Sequence, residues 1–411
     1  MNCKALIDLA MRRMPGGVST NVRLTEGPHK LIVNRAHGTR IWTVDGRELV
    51  DFVCGFGSIL LGYGFASLTQ RQAEVLANGV AYNATNPFEI EAADRLLTVF
   101  PAYDKVRFCV TGSEATTAAI GLARAATDRR AIAVFKNHYH GWHGPTKATR
   151  TAFPTLGPAA AIGEVFELPF NNPQVCADFF RLHGDSLAGV IFEIVMMNGG
   201  GYEPAPEFIS VLHQARDRCG FLLIADEVIT GFRVGLHGAQ GKYGVHPDLT
   251  VFGKALGGGL PLAAVVGRSE HMDLFASGKA LHAGTFNGHP LCAASAAFML
   301  EYLSANEKDV YTHIERVAQR LQEGLRIAAT EAGLVCRLRG SGPVMCLEPG
   351  NESSKVPALQ QELQDELLAH GIRVPPGGRW FVGYAHSIDD VGAAVTAAKN
   401  AFHKLKAADS G

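Results

Sequence analysis

No run of apolar residues in this 411-residue chain is long enough to cross a bilayer. The most apolar stretch, Leu260 to Val266, is short and set among glycine and proline. An excess of one charge is missing too. Lys and Arg total 38, Asp and Glu 39, and the net charge is −1. That balance argues against a nucleic-acid surface or an anionic membrane as partner. The eight cysteines form no C-x-x-C pair and show no zinc-like spacing. A reduced, intracellular, cytoplasmic protein is expected. The opening "MNCKALIDLAMRRMPGG" has no long apolar core and no cleavage site, so no export signal is expected. Repeats and low-complexity tracts are absent as well. What remains is 47% hydrophobic residues, enough for one large core and a second, smaller unit.

Short apolar runs alternate with amphipathic segments of helical length. Strands are expected at Lys105 to Val110, Ala131 to Phe135, Ala188 to Val195 and Phe221 to Val228, with further runs "LTVFGK" and "LAAVVG". Helices are expected at "SEATTAAIGLARAAT" and "EFISVLHQARDRCG", the second stopped by Gly220 in a left-handed conformation. This rhythm predicts an α/β fold with a large, mostly parallel sheet covered by helices on both faces. After about Leu303 long polar helices take over. One, "VPALQQELQDELLAHG", is closed by Gly371. Another opens at Ser387, with Asp390 three residues on as in a capping box. The expected organisation is a segment 1–50 that packs with the small domain or a partner chain, a large domain 51–302 and a small domain 303–411. The hairpin-like "HGTRIWTVDGRELVDF" is too short to bury a core alone.

Ligands in open α/β sheets bind at the carboxyl ends of strands, and three chemical features fall there. In "VTGSEA" a strand meets Gly112, Ser113 and a helix start, where backbone N–H groups and the helix dipole suit a phosphate. Capping by Ser113 is the other reading. In "IADE" the carboxylate of Asp226 ends a very apolar strand, so it needs a cationic partner or a metal. In "DLTVFGKALGGGLP" Lys254 ends another such run. Burial there favours a neutral amine able to attack a carbonyl. The glycines follow the lysine, Ala255 offers no hydroxyl to magnesium, and Asp248 stands where a P-loop needs glycine, so the nucleotide reading fails. A phosphate nest, a buried aspartate and a nucleophilic lysine are what pyridoxal 5'-phosphate requires: a Schiff base to the lysine, a carboxylate on the pyridine nitrogen, and a helix start for the phosphate.

The block from Phe221 to Gly267 resembles the signature of the class III pyridoxal-phosphate aminotransferases, with Asp226 and Lys254 at the spacing that family uses. "VTGSEATTAAIGLARAAT", "NHYHGWHG" and "HAGTFNGHPL" follow its order, and the resemblance covers nearly the whole chain. "PGGVSTNVR" is similar to the substrate-binding arm of the glutamate-1-semialdehyde aminomutase-like subgroup. The resemblance implies fold type I, a large mostly parallel sheet domain with a smaller α+β domain. It implies Lys254 as Schiff-base and proton-carrying residue, Asp226 on the pyridine nitrogen, and Gly112 and Ser113 on the phosphate. Tyr139 and Val228 would hold the two ring faces, with Glu193 and Asn198 behind them. Thr285 would reach the phosphate of a neighbouring subunit, so a homodimer with shared sites is implied, and Arg23 would hold a substrate carboxylate. His138, His140 and His143 could be taken for a metal cluster. A strand or turn would not bring all three onto one ion, and no metal is expected.

Several positions depart from the aminomutase pattern. Phe56 stands where those enzymes carry tryptophan, Tyr63 where histidine is common, and Ile194 after Glu193 where they have proline. Arg379-Trp380 occupies a neighbourhood that lacks their glutamate. The stretch "TRTAFPTLGPAAAIGEV" is shorter than their gating loop, and a lid matters when an intermediate must not escape. The expectation is an aminotransferase that moves an amino group between a carboxylate-bearing donor, with a β-amino or otherwise displaced amine, and an oxo acid. An aminomutase, a racemase or epimerase, and a non-catalytic cofactor-binding protein are the alternatives.

Overall fold

A parallel link between neighbouring strands needs a crossover of about a dozen residues or more, and that rule accounts for the main sheet. The computed structural model describes residues 3–25, 31–142, 165–350 and 354–409. The chain divides into two units, Met1–Phe65 with Asp309–Gly411, and Ala66–Lys308. It opens with α1 (Cys3–Arg13), β1 (Val33–His37), β2 (Arg40–Thr43), β3 (Glu48–Asp51) and a one-turn element α2 (Cys54–Gly57).

The larger unit begins with α3 (Ala66–Leu76) and α4 (Pro87–Val99). Its sheet is built from β4 (Lys105–Cys109), β5 (Ala131–Phe135), β6 (Val165–Leu168), β7 (Leu187–Glu193), β8 (Leu222–Glu227), β9 (Leu249–Phe252) and β10 (Ala263–Gly267). Their order is β4-β10-β9-β8-β7-β5-β6. The links through α5 (Gly112–Thr127), α6 (Pro173–His183), α7 (Pro206–Cys219) and α8 (Gly238–Tyr243) are long, and the strands from β6 to β9 pair in parallel. From β9 to β10 there is a short 3-10 turn and no crossover helix, so β10 runs antiparallel to both neighbours. Every residue of β5, β7, β8, β9 and β10 is buried. That is why these strands read as continuous apolar runs and not as alternating ones.

Small residues let α5 lie close on the sheet. Ala115, Ala118, Ala119 and Ala123 are buried with Ile191, Ile224, Val251 and Val265. α7 ends as its sequence predicts, with Gly220 at φ +70° and its N–H bonded to Arg216 O. The glycines after Lys254 are explained by packing. Gly258 lies at φ +58°, where an added Cβ would stand 3.0 Å from Leu68 and 3.1 Å from Met299 and from the Ser295 hydroxyl. The Ser295 Oγ donates to Gly257 O at 2.9 Å. Ser295 and Met299 belong to α10 (Pro290–Ala305). The glycine run therefore turns the chain tightly against α10 and α3, between the 3-10 turn and β10. α9 (Ser269–Ala276) follows β10.

In the smaller unit, α11 (Glu307–Glu331) leads to β11 (Cys336–Ser341), β12 (Val344–Pro349), α12 (Val356–Ala369), β13 (Ile372–Arg373), β14 (Arg379–Phe381) and α13 (Ile388–Asp409). β1, β2 and β3 form antiparallel neighbours, and β13 joins β3 in parallel with Ile372 opposite Val50. The two ends of the chain thus share one sheet. Ser387 and Asp390 cap α13 reciprocally, through bonds of 2.9 and 3.2 Å. Trp380 is fully buried, with its ring centroid 5.2 Å from that of Phe52. Trp380, one of the departures from the aminomutase pattern, thus packs inside this unit. Among the described residues, no helix is long and apolar enough to cross a membrane.

Gly258→Ala should destabilise the protein by about 1–3 kcal/mol, from left-handed strain plus crowding. Gly244 also lies at positive φ (+63°) but has open space around it, so Gly244→Ala should cost only the backbone part. Urea midpoints at unchanged slope measure both.

Candidate active site

Asp226 stands at the carboxyl end of β8, buried and cut off from water. A carboxylate there needs compensation, and two groups supply it. The His140 Nδ1 lies 2.7 Å from its Oδ2, and the Val228 N–H donates to Oδ1 at 3.0 Å. His140 is itself fully buried. It follows β5, which is not a neighbour of β8: β7 lies between them. The chain after β5 therefore passes over the end of β7 to reach Asp226.

Glu193, the last residue of β7, holds that passage in place. Its Oε1 accepts from the Tyr139 N–H at 2.7 Å and from Asn198 Nδ2 at 2.9 Å, and its Oε2 accepts from the Asn198 N–H at 3.1 Å. Its own N–H donates to His138 Nδ1 at 2.9 Å. Burial raises the carboxyl pKa of Glu193. The positive side of His140 and the donors Tyr139 and Asn198 oppose that rise, and Asp226 adds to it. Burial likewise drives the His138 imidazole well below its ordinary pKa, so it is held neutral.

α5 starts beside this passage. Its cap is Thr111 and not Ser113. Thr111 has the extended backbone a cap requires (φ −128°, ψ 155°), and its side chain accepts from the Glu114 N–H. Glu114 reaches back to the N–H groups of Val110 and Thr111 at 2.9 and 3.0 Å. The cap thus leaves out the N–H groups of Gly112 and Ser113, and Ser113 lies inside the first turn. The Thr116 hydroxyl donates to His140 O at 2.6 Å and ties α5 to the passage. Burial raises the pKa of the Tyr139 phenol, a hydrogen bond with Ser113 opposes this, and Asp226 adds to it. Gly141 lies at φ +105°, and a Cβ there would fall 2.6 Å from Ser113 Oγ.

Val228 joins these parts. A Cβ on Gly112 would stand 3.1 Å from one of its methyl groups, and a Cβ on Gly253 3.4 Å from the other. Lys254 comes next, half-buried, at φ +44°. A non-glycine residue in that region costs roughly 1–2 kcal/mol. Gly112, Ser113, Tyr139, Glu193, Asn198, Asp226, Val228 and the backbone that carries Lys254 are thus linked through direct contacts in the larger unit. Thr285 takes no part in these contacts. It is exposed, and lines a groove of about 440 Å³ with Asn83, Glu89, Arg107 and His282. Arg23 belongs to the smaller unit, exposed on a 3-10 turn (Asn21–Thr25). His143 and the stretch 149–164 lie outside the described residues. Among the described residues, no group of three or more His, Cys, Asp or Glu could hold a metal.

Sequence reasoning took His140 only as a metal-ligand candidate, and passed over Thr116 and Gly141. The one available signal was a His-Gly pair a few residues after a buried strand. For a phosphorylated pyridine the residues fit. The helix start has two N–H groups outside its cap, glycines stand where side chains would crowd Val228 and Ser113, and the buried carboxylate can meet a ring N–H.

The profile of class-III aminotransferases matches residues 23–387. The glutamate-1-semialdehyde 2,1-aminomutase of Thermomicrobium roseum is 35% identical over 98% of both chains. Among solved structures, a transaminase with pyridoxal phosphate bound superposes with a TM-score of 0.91 at 27% identity, covering 99% of this chain and 98% of that one. An omega-transaminase from Sphaerobacter thermophilus superposes with a TM-score of 0.90 at 28% identity, covering 98% and 97%. The chain belongs to the class III aminotransferases, pyridoxal-5'-phosphate enzymes of fold type I.

Proposed function

We propose that the chain is an intermolecular aminotransferase, moving an amino group from a carboxylate-bearing donor with a β-amino or otherwise displaced amine to an oxo acid. When bound, pyridoxal phosphate supplies an aldehyde carbon for the amine and a ring that takes up electrons as a substrate proton leaves. Lys254 would hold that aldehyde carbon between turnovers. Its freed Nζ would take the proton from the substrate's amine-bearing carbon and return it to the aldehyde-derived carbon across the nitrogen, as base and then as acid. Asp226, kept in place by His140 and the Val228 N–H, would meet the ring nitrogen. Gly112 and Ser113 would take the phosphate at the start of α5. Tyr139 and Val228 would hold the two ring faces, and Glu193 with Asn198 fixes the backbone under Tyr139. Arg23 receives the substrate carboxylate. Thr285, exposed and apart from these residues, serves the phosphate of a second copy of the chain, so the active form is a homodimer.

The observation that carries the aminotransferase reading is the position of Phe56. It replaces the tryptophan of the aminomutase pattern, on a turn where Cys54, Gly55, Phe56 and Gly57 all have positive φ, from 48° to 91°. Asp51 Oδ2 takes the Cys54 N–H at 2.9 Å, and the Tyr63 hydroxyl takes that of Gly55 at 3.1 Å. Non-glycine residues held in this way gather at functional positions, so the departure falls at a place that matters. A second reading, an aminomutase, is supported by the 35% identity to the Thermomicrobium roseum enzyme.

Omitting the acceptor separates the two. An aminotransferase given its donor alone stops after about one equivalent per site, and resumes when an oxo acid is added. Continuous turnover of glutamate-1-semialdehyde with no acceptor would establish the aminomutase instead. Lys254→Ala should lower kcat by roughly 10³-fold or more. Borohydride should fix the cofactor to position 254 in the unaltered protein and to no residue in the variant, as read by peptide mapping.

A further inference from the structure

Asp226 and Glu227 are neighbours on β8, and a strand turns successive side chains to opposite faces. Asp226 faces the site. Glu227 is fully buried on the other side, and the chemistry described above makes no use of it. Its surroundings are specific. Oε2 accepts from the Thr230 hydroxyl at 2.5 Å and the Ala239 N–H at 2.9 Å, and Oε1 accepts from the Gln240 N–H at 2.6 Å. Thr230 lies near the start of the loop between β8 and α8, while Ala239 and Gln240 lie just past its end. One carboxylate therefore fastens both ends of that loop.

The loop is packed to suit. Gly238 lies at φ +61°, and a Cβ on it would fall 2.7 Å from Glu227 Oε2. Gly231 has no room for a side chain either, because a Cβ there would stand 2.7 Å from both Glu227 O and the Phe252 ring. Gln240 extends the contact to the strand that leads to the lysine. Its Oε1 accepts from the Tyr103 hydroxyl at 2.9 Å, and that hydroxyl lies 2.6 Å from Thr250 Oγ1 on β9. Val228 is the first residue of the fastened loop, set between Gly112 and Gly253.

We propose that Glu227 is a positioning residue of the active site, which sets the place of Val228 by clamping the loop between β8 and α8. The inference rests on the reading of Val228 as a residue pressed on the cofactor ring. A side chain that only stabilised the fold would leave the environment of the ring unchanged when altered. Burial raises the Glu227 carboxyl to about 7 in spite of its three donors, so the measurements belong above that pH, where the clamp is a carboxylate.

The experiment titrates apoprotein with pyridoxal phosphate and records the bound cofactor's absorption band and dissociation constant, with a urea midpoint for each protein. The variants are Glu227→Gln, Gly238→Ala, Val228→Ala and the double variant Glu227→Gln/Val228→Ala. Glu227→Gln sets an amide N–H against a backbone donor and should weaken binding about tenfold or more, with a shifted band. Gly238→Ala pushes on the same carboxylate from the other side, keeps Glu227 itself, and should shift the band the same way. The double variant should bind no more weakly than the worse of its two parents, because both changes act through one side chain. Wild-type affinity and an unmoved band in Glu227→Gln and Gly238→Ala, with lower urea midpoints alone, would overturn the proposal. Multiplying effects in the double variant would overturn it too. An unaltered protein that binds no pyridoxal phosphate would sink the cofactor reading and this inference with it.

Discussion

The site is organised around one buried pair, the Asp226 carboxylate and the His140 imidazole 2.7 Å away. An isolated carboxylate at this depth would take up a proton to escape its charge. A protonated carboxyl could not receive a ring N–H as an anion. The pair is expensive to assemble, because His140 comes from a strand two places away in the sheet. Glu193, Tyr139 and Asn198 bear that cost through four hydrogen bonds at the end of the intervening strand β7, counting the bond from the Glu193 N–H to His138. Removing one acceptor from such a set leaves buried donors unsatisfied, which costs more than the bond itself was worth.

The same economy runs along β8. Two adjacent acidic residues turn to opposite sides, and each is satisfied there by different elements. Asp226 meets the passage after β5, while Glu227 meets the start of α8. The short strand-to-strand link after Lys254 has a comparable double use. It forces β10 antiparallel, and its glycines let the chain turn beneath α10 without disturbing the lysine. Backbone geometry at one end of the sheet thus fixes where three groups stand: a lysine, a buried carboxylate and a helix start with two N–H groups outside its cap.

Much of this was legible in the sequence, for definite reasons. Strands covered on both faces are unbroken apolar runs, so β5, β7 and β8 stood out with their boundaries nearly in place. Gly220 and the Ser387–Asp390 pair are local signals, and local signals survive folding. Lys254, Asp226 and Gly112 are visible because each stands at or just past the end of an apolar strand. β6 was missed: it has four residues, half of them partly exposed, and no periodicity to mark it. Ser113 reads as a possible cap of α5 because serine is a good cap, whereas the choice between Thr111 and Ser113 depends on where the backbone leaves the extended region. His140 could not be assigned from sequence at all. Its partner is decided by strand order, which puts β7 between β5 and β8, and no property of "NHYHG" encodes that order.

Strain adds a last constraint on what the protein does. Among the described residues, eight non-glycine residues have positive φ, and four of them are Asn or Asp, which tolerate it. Phe232 is buried in an aromatic cluster with Phe100 and Phe252, which explains its retention. Cys54 is buried too, with its N–H taken by Asp51. Lys254 and Phe56 are different: each is only half-buried and sits beside glycines that could relieve the strain. A glycine at either position would save roughly 1–2 kcal/mol of backbone energy. Keeping a side chain against that gradient requires that the side chain itself be needed. For Lys254 that need is the covalent role proposed above. For Phe56 the same reasoning asks for a role in substrate choice, and this residue is one of those at which the chain parts from the aminomutase pattern.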